Sequence, residues 1–223
     1  LLHELGKIYD RRKQPSLAIQ YMEKAHQLEP YDSNLSLNLG KVLHDAGRIE
    51  DAIAVLLPAA HKDKDNQTLW SNLLMVSQYT NQFDRDAKFK LHRVWGEHLE
   101  AKTKTMPLPE PSQETPDKVL RIGLVSADLR EHPVGYFLQA MVENLPDDIC
   151  FYGYHNTSHA DDLTAYFKEH FAGWHEIHEK LDLEIAHQIQ RDQIDILFDL
   201  AGHTSGNRLS LFALKPAPVQ ITG

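Results

Sequence analysis

The chain has 223 residues, of which 42% are hydrophobic and 25% are charged. This composition is that of a globular protein with enough apolar side chains for a core, and it argues against disordered, collagen-like and coiled-coil proteins. Lysine and arginine number 23 against 32 aspartates and glutamates, so the formal charge is -9. That sign argues against a nonspecific binder of nucleic acid or of an anionic membrane.

The N-terminal part of the chain, 1–100, repeats at an interval of 34 residues. The interval superposes Leu5-Gly6 on Leu39-Gly40, Ala18 on Ala52, and Ala25 on Ala59, and a third copy is weaker. Small residues at fixed places and a closing Pro30 resemble the tetratricopeptide repeat, in which two antiparallel helices pack closely. We predict stacked helix pairs at 2–11 with 15–28, 32–46 with 49–62, and 66–80 with 84–100. Such an array forms a groove for a partner protein or peptide.

The helical period stops between Ala101 and Lys118, where four prolines fall within 107–116. Proline removes backbone donors and favours extended chain, so 101–118 is predicted to be a linker between 1–100 and a second unit, 119–223.

The second unit alternates short apolar runs with helical stretches, which predicts a Rossmann-like parallel sheet with helices on both faces. The expected strands are Val119–Val125, Ile149–Tyr154, Trp174–Ile177, Ile194–Leu200 and one from Val219; the expected helices are 135–144, 161–171, 182–192 and 207–214. Ligands gather at the carboxyl ends of parallel strands. That rule nominates three loops: Ser126–Gly135, His155–Asp162 and Ala201–Arg208.

Two of these loops carry candidate site residues. His132 precedes Pro133, a residue suited to the first turn of a helix, so its imidazole could exchange protons or meet an anion, or it could simply cap the helix. Gly202 and Gly206 permit tight turns and close backbone approach, and His203, Thr204 and Ser205 supply donors for a sugar or phosphate, although the loop could be only a connection.

Several other polar residues are expected to have structural roles or to face solvent. The histidine pairs His155 with His159 and His175 with His178 lack a metal-site motif, so we expect solvated or capping histidines and no metal. Asp161-Asp162 is expected to cap a helix rather than meet substrate. The single cysteine, Cys150, excludes an internal disulfide and fits a cytoplasmic protein.

Three segments of the second unit read LRIGLVSADLREHPVG at 120–135, DILFDLAGHT at 195–204 and FALKPAPVQ at 212–220. Together with the repeats in front of them, they resemble the O-linked N-acetylglucosamine transferase family, and most closely its bacterial and SPINDLY-like branch. The resemblance covers 119–223 and matches the family's order of domains.

The resemblance implies the N-terminal half of a two-lobed GT-B glycosyltransferase that is inverting and independent of metals and cofactors. Its donor would be UDP-N-acetylglucosamine or another nucleotide sugar, and its acceptor a Ser or Thr of a protein guided by the repeats. His132 matches the family's active-site histidine, a proton relay or a positioning group. Gly202, His203 and Thr204 match a loop facing the donor sugar and phosphates.

In the family, most nucleotide contacts come from a second lobe, including a lysine that stabilises the departing diphosphate. The start at Leu1 and the end at Gly223 lead us to expect a chain cut from a longer protein, with no transferase activity by itself. Two alternatives stay open: a fucosyl donor, and a repeat scaffold with a degenerate, non-catalytic lobe.

Overall fold

A computed structural model describes residues 1–103 and 118–222. The chain divides into Leu1–His98, called here the repeat unit, and Leu99–Gly223, called the sheet unit. Helix continues as far as Thr103, three residues into the predicted linker. Residues 104–117 of that linker, including its four prolines, lie outside the described residues, so the linker stays a prediction there.

The repeat unit confirms the tetratricopeptide-type arrangement. Its helices pack in sequence, α1 against α2, α2 against α3, α3 against α4, and α4 against α5. The described bounds are α1 Leu2–Arg11, α2 Pro15–Leu28, α3 Ser33–Asp45, α4 Ile49–Lys62, α5 Gln67–Ser77 and α6 Arg85–Thr103. Asp32 and Asn66 cap α3 and α5 by accepting backbone hydrogen bonds from Leu35 and Leu69.

The small residues of the repeat lie where two helices approach most closely. Ala18 and Ala52 are fully buried, and each occupies the same place in its own helix pair. A Cβ added to Gly6 would lie 2.5 Å from Cγ of Met22, and one added to Gly40 would lie 2.5 Å from Cγ of Leu56. Packing therefore explains the repeat of small side chains at an interval of 34 residues.

The sheet unit holds five parallel strands in the order β3-β2-β1-β4-β5. Helices α7 and α8 cover one face around Leu138 and Phe167, while α9 and α10 cover the other around Ile185 and Leu211. The bounds are β1 Leu120–Ser126, α7 Pro133–Val142, β2 Ile149–His155, α8 Asp162–His170, β3 Gly173–Glu176, α9 Asp182–Arg191, β4 Ile196–Asp199, α10 Leu209–Ala213 and β5 Val219–Thr222. The Rossmann-like prediction is confirmed.

Strand β4 is shorter than the apolar run 194–200 predicted. Ile194 belongs to the turn after α9, because Gln193 has a left-handed φ of 54° and the Ile194 amide donates to the carbonyl of Ile189. Ile194 is only 3% exposed. Burial, rather than strand pairing, accounts for its apolar side chain. Within the described ranges, no helix combines the length and apolar character needed to cross a membrane.

The prediction of solvated or capping histidines is wrong for His155. It ends β2 with no exposed surface, its ring packs against Trp174, and its Nδ1 lies 2.9 Å from Oε2 of Glu176. Burial lowers the pKa of His155 because the charged ring is poorly solvated there. His175 is also engaged, with its Nε2 2.8 Å from a carboxylate oxygen of Asp192.

Glu176 anchors this edge of the sheet. Partial burial opposes its ionisation, but hydrogen bonds from Lys168, Trp174 and His155 outweigh that effect and lower the pKa of Glu176 to about 2. The ionised carboxylate therefore stabilises the folded state above its ordinary pKa of 4.5, and this contribution is lost as the pH falls toward 2.

We expect Gly40→Ala to destabilise the repeat unit by about 1–3 kcal/mol through overpacking against Leu56. Gly96→Ala is the matched control, since nothing lies within 4 Å of an added Cβ there. It should stabilise α6 by about 0.5–1 kcal/mol, the helix preference of alanine over glycine. Thermal or denaturant unfolding measures both, and equal stability of the two variants would contradict the packing argument.

We expect Glu176→Gln to lower the melting temperature at neutral pH. The difference from the wild type should shrink as the pH falls from 4.5 toward 2, because the wild-type carboxylate then becomes protonated. Thermal melts across this range test the prediction, with Glu179→Gln as a control at a side chain that is 89% exposed. A difference that does not vary with pH would count against it.

Candidate active site

The topology brings three loops to the carboxyl edge of the sheet. β1 is central, β2 pairs on one side of it and β4 on the other, so the loops after β1, β2 and β4 meet where the strand order reverses. A cavity of about 700 Å³ opens there, called here the edge cavity. It is lined by Ala127, Asp128, Arg130, His132, Asn156, Thr157, His159, Thr204, Ser205 and Gly206. All three nominated loops contribute to it.

His132 enters the edge cavity as the residue that caps α7, and Pro133 occupies the first turn as expected. Its Nδ1 accepts a hydrogen bond from the Val134 amide at 3.3 Å. A neutral imidazole whose Nδ1 accepts carries its hydrogen on Nε2. The ring, 36% exposed, therefore offers an N–H donor at Nε2.

A charged pair lies beside His132. Arg130 donates to Oδ1 of Asp128 at 3.0 Å, and Oδ2 of the same carboxylate lies 3.8 Å from Nδ1 of His132. The Asp128 amide in turn donates to the hydroxyl of Ser126, which is buried at the end of β1. Much of the positive charge of Arg130 is thus neutralised within the loop.

The loop after β4 is built around Asp199. This carboxylate is fully buried and accepts hydrogen bonds from the amides of Ala201 and Gly202 and from the hydroxyl of Thr222. Burial raises the pKa of Asp199, although these three hydrogen bonds act in the opposite direction. The Thr204 hydroxyl donates to the carbonyl of Ala201 at 2.7 Å.

One predicted donor of the loop, the hydroxyl hydrogen of Thr204, is therefore used internally, and so is the backbone amide of Gly202. Thr204 lines the edge cavity, whereas Gly202 and His203 are not among its lining residues. The role of these three residues in donor binding stays a prediction. Gly202 and Gly206 have positive φ values of 55° and 79°, as tight turns require.

Asn156 and Arg208, to which the sequence assigned no role in the site, join the loops to one another. The Asn156 amide donates to the carbonyl of Ser126, its Nδ2 donates to the carbonyl of Gly206, and its Oδ1 accepts from Arg208. Arg208 also donates to Asp182 and to the carbonyls of Ile177, His178 and Lys180. Their places in two of the three nominated loops were the only available signal.

Asp161 caps α8, as predicted, by accepting from the Thr164 amide at 3.0 Å. His159 lines the edge cavity rather than joining a metal site. Over 1–103 and 118–222, no group of three or more His, Cys, Asp or Glu residues is placed to hold a metal ion.

Comparisons with known proteins bear on both units. The family model described as Glycosyl transferase family 41 matches residues 84–222, and a tetratricopeptide repeat model matches 11–74. A mutant of the Thermobaculum terrenum O-GlcNAc transferase is similar in structure, with a TM-score of 0.85 and 34% identity over 99% of this chain and 42% of that one.

Two plant relatives are named "Probable UDP-N-acetylglucosamine--peptide N-acetylglucosaminyltransferase SPINDLY". The one from Solanum lycopersicum is 30% identical over 167 residues, and the one from Arabidopsis thaliana is 31% identical over 169. Each alignment covers 72% of this chain and 18% of the relative, so the chain spans less than a fifth of their length. The resemblance found in the sequence is confirmed, and the chain belongs to glycosyl transferase family 41.

Proposed function

We propose that the sheet unit is the first catalytic lobe of a protein O-glycosyltransferase, which transfers a sugar from a nucleotide diphosphate to a Ser or Thr hydroxyl. The observation that carries the proposal is the placement of His132 and Thr204 on one cavity at the carboxyl edge of a family 41 sheet. Donor groups at this edge suit a sugar nucleotide.

The names of the plant relatives support UDP-N-acetylglucosamine as the donor and a peptide as the acceptor. The repeat unit would receive the protein acceptor, as stacked helical repeats commonly do. We also propose that transfer proceeds with inversion and without a metal, as the family resemblance implies. A cytoplasmic location is proposed from the single cysteine.

The geometry supports His132 as a hydrogen-bond donor to substrate. With Nδ1 held by the Val134 amide, Nε2–H is the group left for a ligand. Two candidate donors of this lobe are already engaged, since Arg130 pairs with Asp128 and the Gly202 amide with Asp199. Among the residues that the structure describes, no lysine lines the edge cavity. Negative charge that develops on the leaving group must be met by preorganised donors.

We expect His132→Ala in the full-length protein to lower kcat by about 100-fold or more while leaving the fold intact. His132→Asn should retain more activity, because its Oδ1 can accept from Val134 while its Nδ2 donates. Steady-state transfer to a Ser- and Thr-containing acceptor protein, with UDP-N-acetylglucosamine and GDP-fucose compared as donors, measures both. Wild-type turnover by His132→Ala would refute the role of His132, and turnover with neither donor would favour the scaffold.

We expect the 223-residue chain by itself to show no transferase activity. Loss of even one preorganised donor to developing charge typically costs about 100- to 1000-fold in rate. A sensitive assay of sugar-nucleotide turnover by the purified chain, alongside the full-length protein, tests this expectation. Robust turnover by the chain would show that the edge cavity is sufficient.

A further inference from the structure

The position of the His132 ring depends on the backbone that leads into it. His132 has extended dihedral angles, φ -152° and ψ 153°, and its side chain folds back onto the Val134 amide. The hydrogen bond from the Val134 amide restrains rotation of the ring about its own torsions. Because α7 begins at the next residue, the ring otherwise moves with the helix start and the connection 127–131. Whatever holds that connection therefore also places the imidazole.

The start of α8 holds the connection through two side chains. Oδ2 of Asp161 accepts from the Glu131 amide at 2.8 Å, directly before His132. The Thr164 hydroxyl donates to the carbonyl of Leu129 at 3.0 Å, and both of these residues are fully buried. On the other side, α7 packs directly on the connection, since a Cβ added to Gly135 would lie 2.0 Å from the carbonyl oxygen of Arg130.

The two oxygens of Asp161 have separate tasks. Oδ1 accepts from the Thr164 amide and caps α8, a task that Ser, Thr or Asn also performs. Oδ2 reaches a loop 30 residues earlier in the chain and is not needed for the cap. Although burial opposes ionisation, the hydrogen bonds from Thr164 and Glu131 lower the pKa of Asp161, so its bond to Glu131 is charge-assisted.

We propose that Asp161 is a positioning residue, whose Oδ2 holds the Glu131 amide and thereby sets the imidazole of His132 in the edge cavity. The inference rests on the proposed function, because it assigns Asp161 to the reaction that His132 serves. Productive geometry in active sites is held to within about 0.5 Å, and a displacement of about 1 Å can cost about 100-fold in rate.

The test uses substitutions that keep the cap but remove the tether. In Asp161→Ser a single hydroxyl can cap α8 but cannot also reach Glu131, and in Asp161→Asn one of the two acceptor oxygens becomes an NH2 group. Asp32→Ser is the matched control, since Asp32 caps α3 by accepting from Leu35 in the same way but lies in the repeat unit. In the full-length enzyme, both Asp161 variants should lower kcat by about tenfold with little change in KM for the donor.

Hydrogen exchange in the 223-residue chain provides a readout that does not depend on activity. Exchange at the Glu131 amide should rise by about tenfold or more in both Asp161 variants, while exchange in α8 stays near that of the wild type. The melting temperature should change no more than in Asp32→Ser. A structural role alone would lower the melting temperature and expose α8 amides as well.

Each outcome decides the proposal. Wild-type kcat in both Asp161 variants would overturn it, and so would a loss of kcat that only follows a loss of folded protein. If the wild-type full-length protein has no turnover, the proposed function fails, and the positioning role of Asp161 in that reaction fails with it. Unchanged exchange at Glu131 in Asp161→Ser would show that the tether itself does not hold the connection.

Discussion

The guanidinium of Arg208 donates to three backbone carbonyls after β3, to Asp182, and to Asn156. Backbone groups in the loops after parallel strands are not paired by the hydrogen bonds of the sheet. They need partners elsewhere, and here neighbouring loops supply them. Arg208 supplies such partners after β3. The Asn156 amide, after β2, donates to the carbonyl of Ser126 at the end of β1. The edge cavity keeps its form because these bonds cross from loop to loop.

Hydrogen bonds within the protein also occupy several polar groups at the carboxyl edge of the sheet. Arg130 faces Asp128, the Gly202 amide faces Asp199, and Thr204 donates to Ala201. Under the proposed function, this lobe positions the sugar and the acceptor, while the charge of the leaving diphosphate is met elsewhere in the protein. This chain covers 42% of the similar solved transferase.

Bonds between loops also explain which predictions the sequence could support. Capping by Asp161 was predictable because its partner, Thr164, lies three residues away. The same carboxylate contacts Glu131, 30 residues away, and Arg208 contacts Asn156, 52 residues away. No local sequence pattern predicts either contact. His155 was misjudged for a related reason, since its burial depends on Trp174 and Glu176 of a neighbouring strand.

The sequence by itself determined the two-unit organisation, the repeat of 34 residues, the parallel sheet and the three loops at its carboxyl edge. These features can be predicted from the hydrophobic periodicity within each helix or strand and from the small residues that recur along the sequence. Only the tertiary structure decided which polar groups of the loops stay available to a ligand and which are used to hold a neighbour. The physical reason is that each donor hydrogen can serve one strong partner, and that partner is chosen by the packing of strands far apart in the chain.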